Sequence, residues 1–123
     1  MHPTETVQKW YATMDVEGLL SDDIRWEIAQ GFPEAGDYVG KAEVGAMFSR
    51  LVTNFSGFSA DVAEQFASED GARVVALGAY RGTAVATGRA FEVPFCHVWE
   101  VRGDRISAVR HYPNTGLMQA ALT

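Results

Sequence analysis

The sequence predicts one α+β domain in which an antiparallel sheet packs against helices near the N-terminus; if strongly curved, such a sheet would enclose a conical pocket. Two patterns lead to this prediction. Apolar residues recur at helical spacing twice within residues 4–53, whereas within residues 56–113 they recur at every second position. Short turn signals separate the later segments, so neighbouring strands join as hairpins and the preceding helices cover one face of the sheet.

Length and composition are those of a single domain spanning residues 1–123. Of the 123 residues, 47% are hydrophobic and 21% charged, which is enough apolar material for one core. The net charge of −6 would repel a phosphate backbone or an anionic membrane, so neither nucleic acid nor membrane is an expected partner. No apolar run is as long as a membrane span and no signal sequence is recognisable, so a cytoplasmic location is expected.

Metal and cofactor chemistry are not expected. The single cysteine, Cys96, excludes an internal disulfide and a multi-cysteine zinc site, and the three histidines lack the spacing of metal ligands. The glycines mark turns or bulges, and none forms a phosphate-binding loop. The sequence therefore predicts neither a metal nor an organic cofactor.

Three helices are predicted before the main run of strands. The first extends from residue 4 to residue 15 with Thr4 as its expected cap, and the third from residue 41 to residue 53. Asp15 is the expected cap of a short second helix. The apolar stripes of the two long helices consist of Val7, Trp10, Tyr11 and Met14 in the first, and Val44, Met47, Phe48, Leu51 and Val52 in the third.

Strands are predicted wherever the apolar period becomes two. Ile24, Trp26 and Ile28 alternate with charged residues and predict the first strand. Residues 30–40 contain three glycines and a proline without any period, so a loop is predicted there. A strand is expected to begin at Ser56, with a further strand over residues 73–83 that is rich in Val, Ala and Leu.

Residues 88–116 are the most informative segment, because they predict one long β-hairpin with its turn at Gly103-Asp104. A histidine, His97, lies in the middle of a large apolar strand face and indicates a pocket wall with one polar group directed inward. The residues that share this face, at every second position, are Phe91, Val93, Phe95, His97, Trp99 and Val101.

Short segments spread over nearly the whole chain carry a family resemblance. They are Asp23-Ile24-Arg25-Trp26, Tyr38-Val39-Gly40, Phe48-Ser49-Arg50-Leu51, Gly82-Thr83 with Thr87-Gly88-Arg89, Phe95-Cys96-His97-Val98-Trp99, and Gly103-Asp104-Arg105-Ile106 leading to Tyr112-Pro113-Asn114-Thr115. In their order and spacing they resemble the SnoaL-like branch (polyketide cyclases and ketosteroid-isomerase-like proteins) of the nuclear-transport-factor-two-like superfamily. The resemblance implies a cone-shaped α+β barrel, usually homodimeric, with a ligand cavity between sheet and helices.

Activities known in that superfamily include aldol cyclisation, double-bond isomerisation, dehydration and epoxide hydrolysis, so the resemblance indicates a fold rather than one reaction. Two positions depart from the family pattern. Many relatives have an aspartate where this chain has Asn114, and ketosteroid isomerases place an aspartate base near the end of the first strand, where this chain offers Trp26 and Glu27.

His97 is the first candidate catalytic residue, because the ordinary pKa of an imidazole lies near neutrality and the ring can donate to a carbonyl or transfer a proton. The alternative is a core histidine bonded to a neighbour. A two-residue loop at Gly103-Asp104 would place His97 opposite Arg110, and a three-residue loop would place it opposite His111. Both registers are open at this stage.

Three further residues are candidates for the catalytic group. Glu27 could serve as a base if it faced the pocket, although its alternation with Asp23 and Arg25 indicates a solvent face. Asn114 could orient a ligand or water, or simply cap the last helix. His111 is the other candidate base.

Aromatic residues at these spacings are core residues first, and those nearest a cavity would also line it. The predicted lining comprises Trp10, Tyr11, Trp26, Phe32, Tyr38, Phe48, Tyr80, Phe95, Trp99, Arg110 and Tyr112, with Tyr11 or Tyr38 able to supply a hydroxyl. The opposite face of the sheet is expected to be apolar and to bury against a second copy, forming a homodimer through Val75, Leu77, Ala79, Val98 and Val109.

The favoured functional hypothesis is a cofactor-independent acid–base enzyme that acts on a hydrophobic, carbonyl-bearing small molecule. His97 would polarise the carbonyl, and Glu27, His111 or a water held by Asn114 would be the base. The alternative is a non-catalytic module that binds a hydrophobic ligand or serves in dimerisation. Asn114 favours the alternative, because an amide cannot carry a proton at neutral pH.

Overall fold

A computed structural model describes residues 2–123 of the chain. The helices are α1 (Pro3–Thr13), α2 (Val16–Leu19), α3 (Lys41–Leu51) with a 3-10 turn after it (Val52–Asn54), and α4 (Thr115–Leu122). The strands are β1 (Leu20–Ile28), β2 (Gly36–Val39), β3 (Phe55–Ala67), β4 (Arg73–Ala84), β5 (Ala90–Arg102) and β6 (Arg105–Pro113). None of the helices within residues 2–123 has the length and apolar character of a membrane span.

All six strands belong to one curved, unclosed sheet with the order β2-β1-β6-β5-β4-β3, which confirms the predicted α+β class. Neighbouring strands are antiparallel except for β1 and β6, which run parallel. The expectation of a wholly antiparallel sheet was therefore wrong at one pair. Hairpin reasoning applies only to strands that follow one another, and β1 and β6 are separated by most of the chain.

Strand β2 lies inside the segment predicted to be a loop. It has four residues and pairs with β1 alone, with Arg25 opposite Val39 and Ile28 opposite Gly36. A strand this short shows too little alternation to be recognised from sequence, and its hydrogen bonds to the edge of β1 are what hold it extended.

The helix ends are set by local hydrogen bonds. Asp15 caps α2 as predicted, since its Oδ1 accepts from the backbone N–H of Gly18 at 2.9 Å. The predicted cap Thr4 is wrong: α1 begins one residue earlier, at Pro3, and the His2 Nδ1 accepts from the backbone N–H of Thr4 at 3.2 Å. Proline favours the first helical position because its fixed φ suits the helix and it has no N–H to satisfy.

The core fills the space between the concave face of the sheet, here named the inner face, and the helices α1 and α3. Trp10 of α1 packs against Trp26 and Trp99 of the sheet, with ring centroids 5.2 and 6.2 Å away. From α3, Val44 and Met47 are fully buried against the same layer. Burying a side chain of this size stabilises the fold by roughly 1.5–3 kcal/mol. The apolar stripes recognised in the sequence thus hold the helices over the inner face.

The β5–β6 hairpin combines a two-residue turn with a bulge. Arg102 pairs with Arg105 across the turn, but the register shifts between Glu100 and Val101, which leaves Ser107 unpaired. His97 therefore lies opposite His111, the partner expected from a three-residue loop, although the loop has two residues. The expectation that Val109 lies on the outer face was wrong. Because of the bulge, Val109 is paired with Trp99 and its side chain is buried on the inner face.

Candidate functional site

A cavity of about 290 Å³ lies between the inner face and the helices α1 and α3. Its wall is mostly aromatic and aliphatic, with tyrosine and histidine side chains as the polar groups in its deeper part. The lining residues from the sequence prediction are Trp10, Tyr11, Trp26, Phe32, Phe48, Tyr80, His97 and His111; Met14, Ile28, Leu51, Phe58, Ser59, Ala60, Asp61 and Val109 complete the wall.

Five residues expected in the lining lie elsewhere. Tyr38 lies opposite Trp26 on the helix side of the sheet but outside the cavity wall, with Arg50 of α3 over its ring. Arg110 borders a separate groove on the convex, outer face of the sheet. Tyr112 is 54% exposed on that same face, because the bulge at Ser107 reverses the directions expected for the end of β6. Phe95 and Trp99 do point inward, but they pack in the core among the lining residues and do not themselves border the cavity.

His97 is held at both ring nitrogens by tyrosine hydroxyls. Its Nδ1 lies 2.6 Å from the Tyr11 hydroxyl oxygen, and its Nε2 lies 2.5 Å from the Tyr80 hydroxyl oxygen. The Tyr11 oxygen also accepts a hydrogen bond from the Trp99 indole N–H at 3.0 Å. These four side chains, here named the Trp–Tyr–His–Tyr chain, join helix α1 to strands β4 and β5.

The local structure explains why this chain forms. Strand alternation directs Phe95, His97 and Trp99 to the inner face, and the Phe95 ring stacks on His97 with centroids 4.0 Å apart. The Tyr11 ring lies nearly parallel to His97 at 5.8 Å and meets Trp99 edge-on at 5.5 Å. Aromatic packing therefore fixes the plane of the imidazole before its hydrogen bonds are considered.

Burial keeps the titratable groups of the Trp–Tyr–His–Tyr chain uncharged. It lowers the pKa of His97 well below its ordinary value, and the neighbouring His111 lowers that pKa further. Burial likewise raises the pKa of the Tyr11 hydroxyl and the pKa of the Tyr80 hydroxyl. Around neutral pH the site thus contains a neutral imidazole between two neutral phenols.

His111 stands across the hairpin from His97, with ring centroids 5.5 Å apart. Its Nδ1 accepts from the backbone N–H of Ala29 at 3.3 Å, and its ring meets Phe32 edge-on at 4.7 Å. Burial lowers the pKa of His111 to about 4. It is a second neutral imidazole that borders the cavity.

Two predicted catalytic residues lie outside the cavity. Glu27 is exposed and borders the groove on the outer face, so the prediction that it could act as a base in this cavity was wrong. Its alternation with Asp23 and Arg25 had already indicated a solvent-facing side of β1. Asn114 is exposed and caps α4, since its Oδ1 accepts from the Leu117 backbone N–H at 3.0 Å. Its carbonyl oxygen is thereby used by the helix rather than turned to the cavity.

The contribution of Tyr80 was missed by sequence reasoning, which treated it as core and lining. Its link to His97 joins two adjacent strands diagonally, since His97 is directly opposite Ala76 and Tyr80 is directly opposite Val93. Tyr11 was recognised as a source of a hydroxyl, but 86 residues separate it from His97. The sequence contained one signal for this network: the inward-facing stripes of α1, β4 and β5 each carry a polar side chain.

Chemically, the arrangement supplies neutral hydrogen-bond donors and acceptors inside an apolar wall. The acidic residue that borders the cavity, Asp61, is engaged by Arg81 at 2.9 Å, and this hydrogen bond lowers the pKa of the Asp61 carboxyl. Among residues 2–123, no three or more His, Cys, Asp or Glu side chains form a group that could hold a metal ion. The polar chemistry of the deeper cavity therefore belongs to tyrosine and histidine.

The outer face of the sheet is apolar in its middle and charged at its margins. Phe66 and Tyr112 are 53% and 54% exposed there, and Val75, Leu77 and Val98 are half-buried between them. The free cysteine lies on this face, because Cys96 alternates with His97. Ion pairs such as Arg73 with Glu100, at 3.5 Å, border the apolar area.

Comparison with known proteins gives a family model and several solved structures of the same fold. The model, described as a SnoaL-like domain, matches residues 8–109. A comparison with curated proteins finds no match.

Three solved structures illustrate the likeness. An NTF2-like protein from Burkholderia thailandensis E264 is 26% identical with a TM-score of 0.89, and the match covers 100% of this chain and 98% of that chain. An NTF2-like protein of unknown function from Burkholderia pseudomallei K96243 is 27% identical with a TM-score of 0.86 and the same coverage. TerC, co-crystallised with polyporic acid, is 21% identical with a TM-score of 0.87, covering 99% of this chain and 98% of that chain.

Proposed function

Because this chain belongs to the SnoaL-like domain family, we propose that its cavity binds a hydrophobic, carbonyl-bearing small molecule and that the protein is a cofactor-independent acid–base enzyme. The observation that carries the proposal is the Trp–Tyr–His–Tyr chain at the wall of a mostly apolar cavity. TerC, which shares the fold, was crystallised with polyporic acid, and this supports a small organic ligand for the present cavity.

The chemistry starts at the carbonyl oxygen of the ligand. In a largely apolar cavity, a hydroxyl or imidazole N–H that donates to this oxygen stabilises the negative charge that develops when a C–H bond next to the carbonyl breaks and its proton passes to a water molecule in the cavity. Such a donor is effective while it remains protonated, and burial holds Tyr11 and Tyr80 in that form. The reaction class is proton transfer next to a carbonyl, as in isomerisation, cyclisation or dehydration.

A second function, ligand binding without turnover, is favoured by one specific observation. Asp61, the carboxylate side chain among the lining residues of the described chain, is paired with Arg81, and Glu27 and Asn114 lie outside the cavity. In that case the proton of the ligand would have no carboxylate to accept it, and the cavity would serve only to hold the molecule.

The two functions are separated by 2-acetylnaphthalene, an uncharged aromatic methyl ketone. Binding is followed through the indole N–H signals of Trp10 and Trp26 in NMR spectra, and enolisation through deuterium uptake into the methyl group in D₂O. The enzyme hypothesis predicts uptake faster than in buffer and slowed by His97→Gln. Binding without faster uptake would support the non-catalytic function, and absence of binding would contradict both.

The outer face is proposed to pair with a second copy of the chain. Its exposed residues Phe66 and Tyr112 flank half-buried aliphatic side chains, which a second copy would bury. Two charge pairs at its margin, Arg73 with Glu100 and Arg81 with Asp61, are already formed within the chain. Light scattering after size exclusion should give a dimer mass. Tyr112→Glu should give a monomer, whereas Val85→Glu, at an exposed turn position, should remain dimeric. A wild-type monomer would refute the pairing.

A further inference from the structure

The Trp–Tyr–His–Tyr chain contains one hydrogen more than its contacts can use. The Trp99 indole N–H donates to the Tyr11 oxygen, which leaves two contacts, one at each nitrogen of His97. A neutral imidazole carries one N–H, and the two phenols carry one O–H each. Three hydrogens thus serve two contacts, so one phenolic hydrogen remains over whichever tautomer His97 adopts.

The tautomer decides which tyrosine keeps that hydrogen. With the proton on Nε2, His97 donates to Tyr80 and accepts from Tyr11, and the Tyr80 hydrogen is left over. With the proton on Nδ1, His97 donates to Tyr11 and accepts from Tyr80, and the Tyr11 hydrogen is left over. The two arrangements place a free donor at opposite ends of the chain.

The surroundings of the two phenols differ. Both phenols border the cavity, but Tyr80 is only 7% exposed, and its ring is surrounded by Phe32, Phe58 and Phe95 at centroid distances of 5.3, 5.1 and 4.5 Å. A hydroxyl hydrogen left unpaired in such surroundings costs about 1–3 kcal/mol. Tyr11 is half-buried and borders the cavity, so a hydrogen left over there can reach water or a ligand. The Nδ1 tautomer of His97 avoids the cost.

His111 has the opposite arrangement. Its Nδ1 accepts from the Ala29 backbone N–H, so the proton of the neutral ring is on Nε2. His111 borders the cavity, and no residue among 2–123 is hydrogen-bonded to its Nε2. This N–H is therefore a second donor available to a ligand.

We propose that His97 carries its proton on Nδ1 and His111 on Nε2, so that the cavity presents two donors, the Tyr11 hydroxyl and the His111 Nε2–H, to the oxygen atoms of an uncharged carbonyl compound. His97 is then a positioning residue, since it directs the Tyr11 hydrogen toward the cavity without touching the ligand. This inference rests on the proposed function for its ligand and adds which groups recognise it.

The same arrangement predicts which ligands are rejected. A hydrocarbon of equal shape leaves both donors without a partner, and a carboxylate loses its hydration without meeting a free cation, because none of the lining residues within 2–123 is a lysine or an arginine. Acceptor groups such as ketones, quinones or esters satisfy the donors at little desolvation cost. Three probes of one shape test this order: 2-acetylnaphthalene, 2-ethylnaphthalene and 2-naphthoate.

The first test needs no ligand. In ¹⁵N-labelled protein at pH 7, long-range ¹H–¹⁵N spectra distinguish a protonated ring nitrogen from a bare one. We expect the protonated nitrogen to be Nδ1 in His97 and Nε2 in His111. A proton on Nε2 of His97, or on Nδ1 of His111, would overturn the arrangement.

The second test measures affinity in wild-type protein and in Tyr11→Phe, with Tyr112→Phe on the outer face as the matched control. Wild-type protein should bind the ketone more tightly than the hydrocarbon and should bind the naphthoate least. Tyr11→Phe should weaken ketone binding about 5- to 10-fold and leave hydrocarbon binding unchanged, which is the effect of one lost hydrogen bond. An unchanged preference for the ketone in Tyr11→Phe would contradict the proposal.

The outcomes also separate this proposal from the proposed function. If the ketone does not bind, the proposed function fails, while the tautomers still decide where the two donors lie. If the ketone binds and enolises but Tyr11→Phe has no effect, the function stands and the assignment of donors is wrong.

Discussion

The two faces of strand β5 show how one strand supports two kinds of polar chemistry. On the inner face, Phe95, His97 and Trp99 are buried, and the imidazole is bonded to two tyrosines at distances of 2.5 and 2.6 Å. On the outer face, Glu100 forms an exposed ion pair with Arg73 at 3.5 Å. Inside, the polar groups are neutral and depend on one another; outside, they are charged and surrounded by water.

This difference follows from desolvation. A charge on the inner face would lose most of its hydration, so burial shifts the pKa of each histidine and tyrosine toward the uncharged form. An ion pair on the outer face keeps much of its hydration and is screened by salt, so it contributes little to stability. The inner network should therefore be costly to disturb, and the outer charges should be replaceable.

The largest expected effect is that of His97→Ala. Loss of the ring leaves a void beside Phe95 and removes the partner of both Tyr11 and Tyr80, which should lower the free energy of unfolding by about 3–5 kcal/mol. Cys96→Ala, the next residue but on the outer face, should cost less than about 1 kcal/mol. Urea unfolding of the two variants measures the difference, and equal losses would contradict the contrast between the faces.

Acid should weaken the protein through its inner face first. His97 and His111 bind protons more weakly in the folded chain than in the unfolded chain, so stability is complete above pH 6.5 and is lost as the pH falls toward 4, the pKa of His111. From its pKa of about 4, His111 should contribute a loss of about 2 kcal/mol between pH 7 and pH 4.5, and His97 should add a loss of the same sign.

The outer carboxyl groups respond at lower pH. Hydrogen bonds from Arg81 and Ser59 lower the pKa of Asp61, so its stabilising contribution is lost only when the pH falls below about 4. Urea unfolding at several pH values, repeated with His111→Gln, should show a smaller slope of the free energy of unfolding against pH above pH 4.5 than in the wild type. A slope that His111→Gln leaves unchanged would show that other groups take up the protons.

A matched pair of phenols tests the hydrogen bonds alone. Tyr80→Phe removes the hydroxyl bonded to His97 Nε2 in the core, and we expect a loss of about 1–3 kcal/mol in the free energy of unfolding. Tyr112→Phe removes an exposed hydroxyl on the outer face, and its free energy should match that of the wild type. Indistinguishable variants would mean that the inner hydroxyl contributes nothing beyond its ring.

The smallest effect is expected from the outer ion pairs. Asp61→Asn breaks the contact with Arg81, which still has Glu92 as a partner at 3.1 Å. The denaturation midpoint should stay within the error of measurement at physiological salt. A clear shift in the midpoint would show that this pair, at the rim of the cavity, belongs to the inner network after all.

Local patterns predicted most secondary structure and failed where pairing between distant segments decides. The stripes of α1 and α3 and the cap of Asp15 were found because each depends on neighbours a few residues away. Strand β2 was missed, because it is held by β1 and has little pattern of its own. Phe66 is an even number of residues from Phe58 in the same strand, yet it lies on the outer face, because the register of β3 shifts between Val62 and Glu64.

The β5–β6 register shows the same limit. Ile106 and Val109 are three residues apart and both buried, which requires a bulge between them; the spacing of these two apolar residues was visible in the sequence. The inference could not be made before the buried face of β6 was known. The bulge then removed Arg110 and Tyr112 from the cavity and brought in His111.

Strand alternation was enough to predict an imidazole on the inward face of an aromatic strand, because alternation is a property of the backbone. The residues that this imidazole contacts could be known only from the folded chain, since Tyr11 is 86 residues away in the sequence and Tyr80 is 17 residues away. Hydrogen bonds and desolvation act over a few ångströms of space, whatever the distance along the chain. The partners of His97, and the loss of its charge, therefore come from packing.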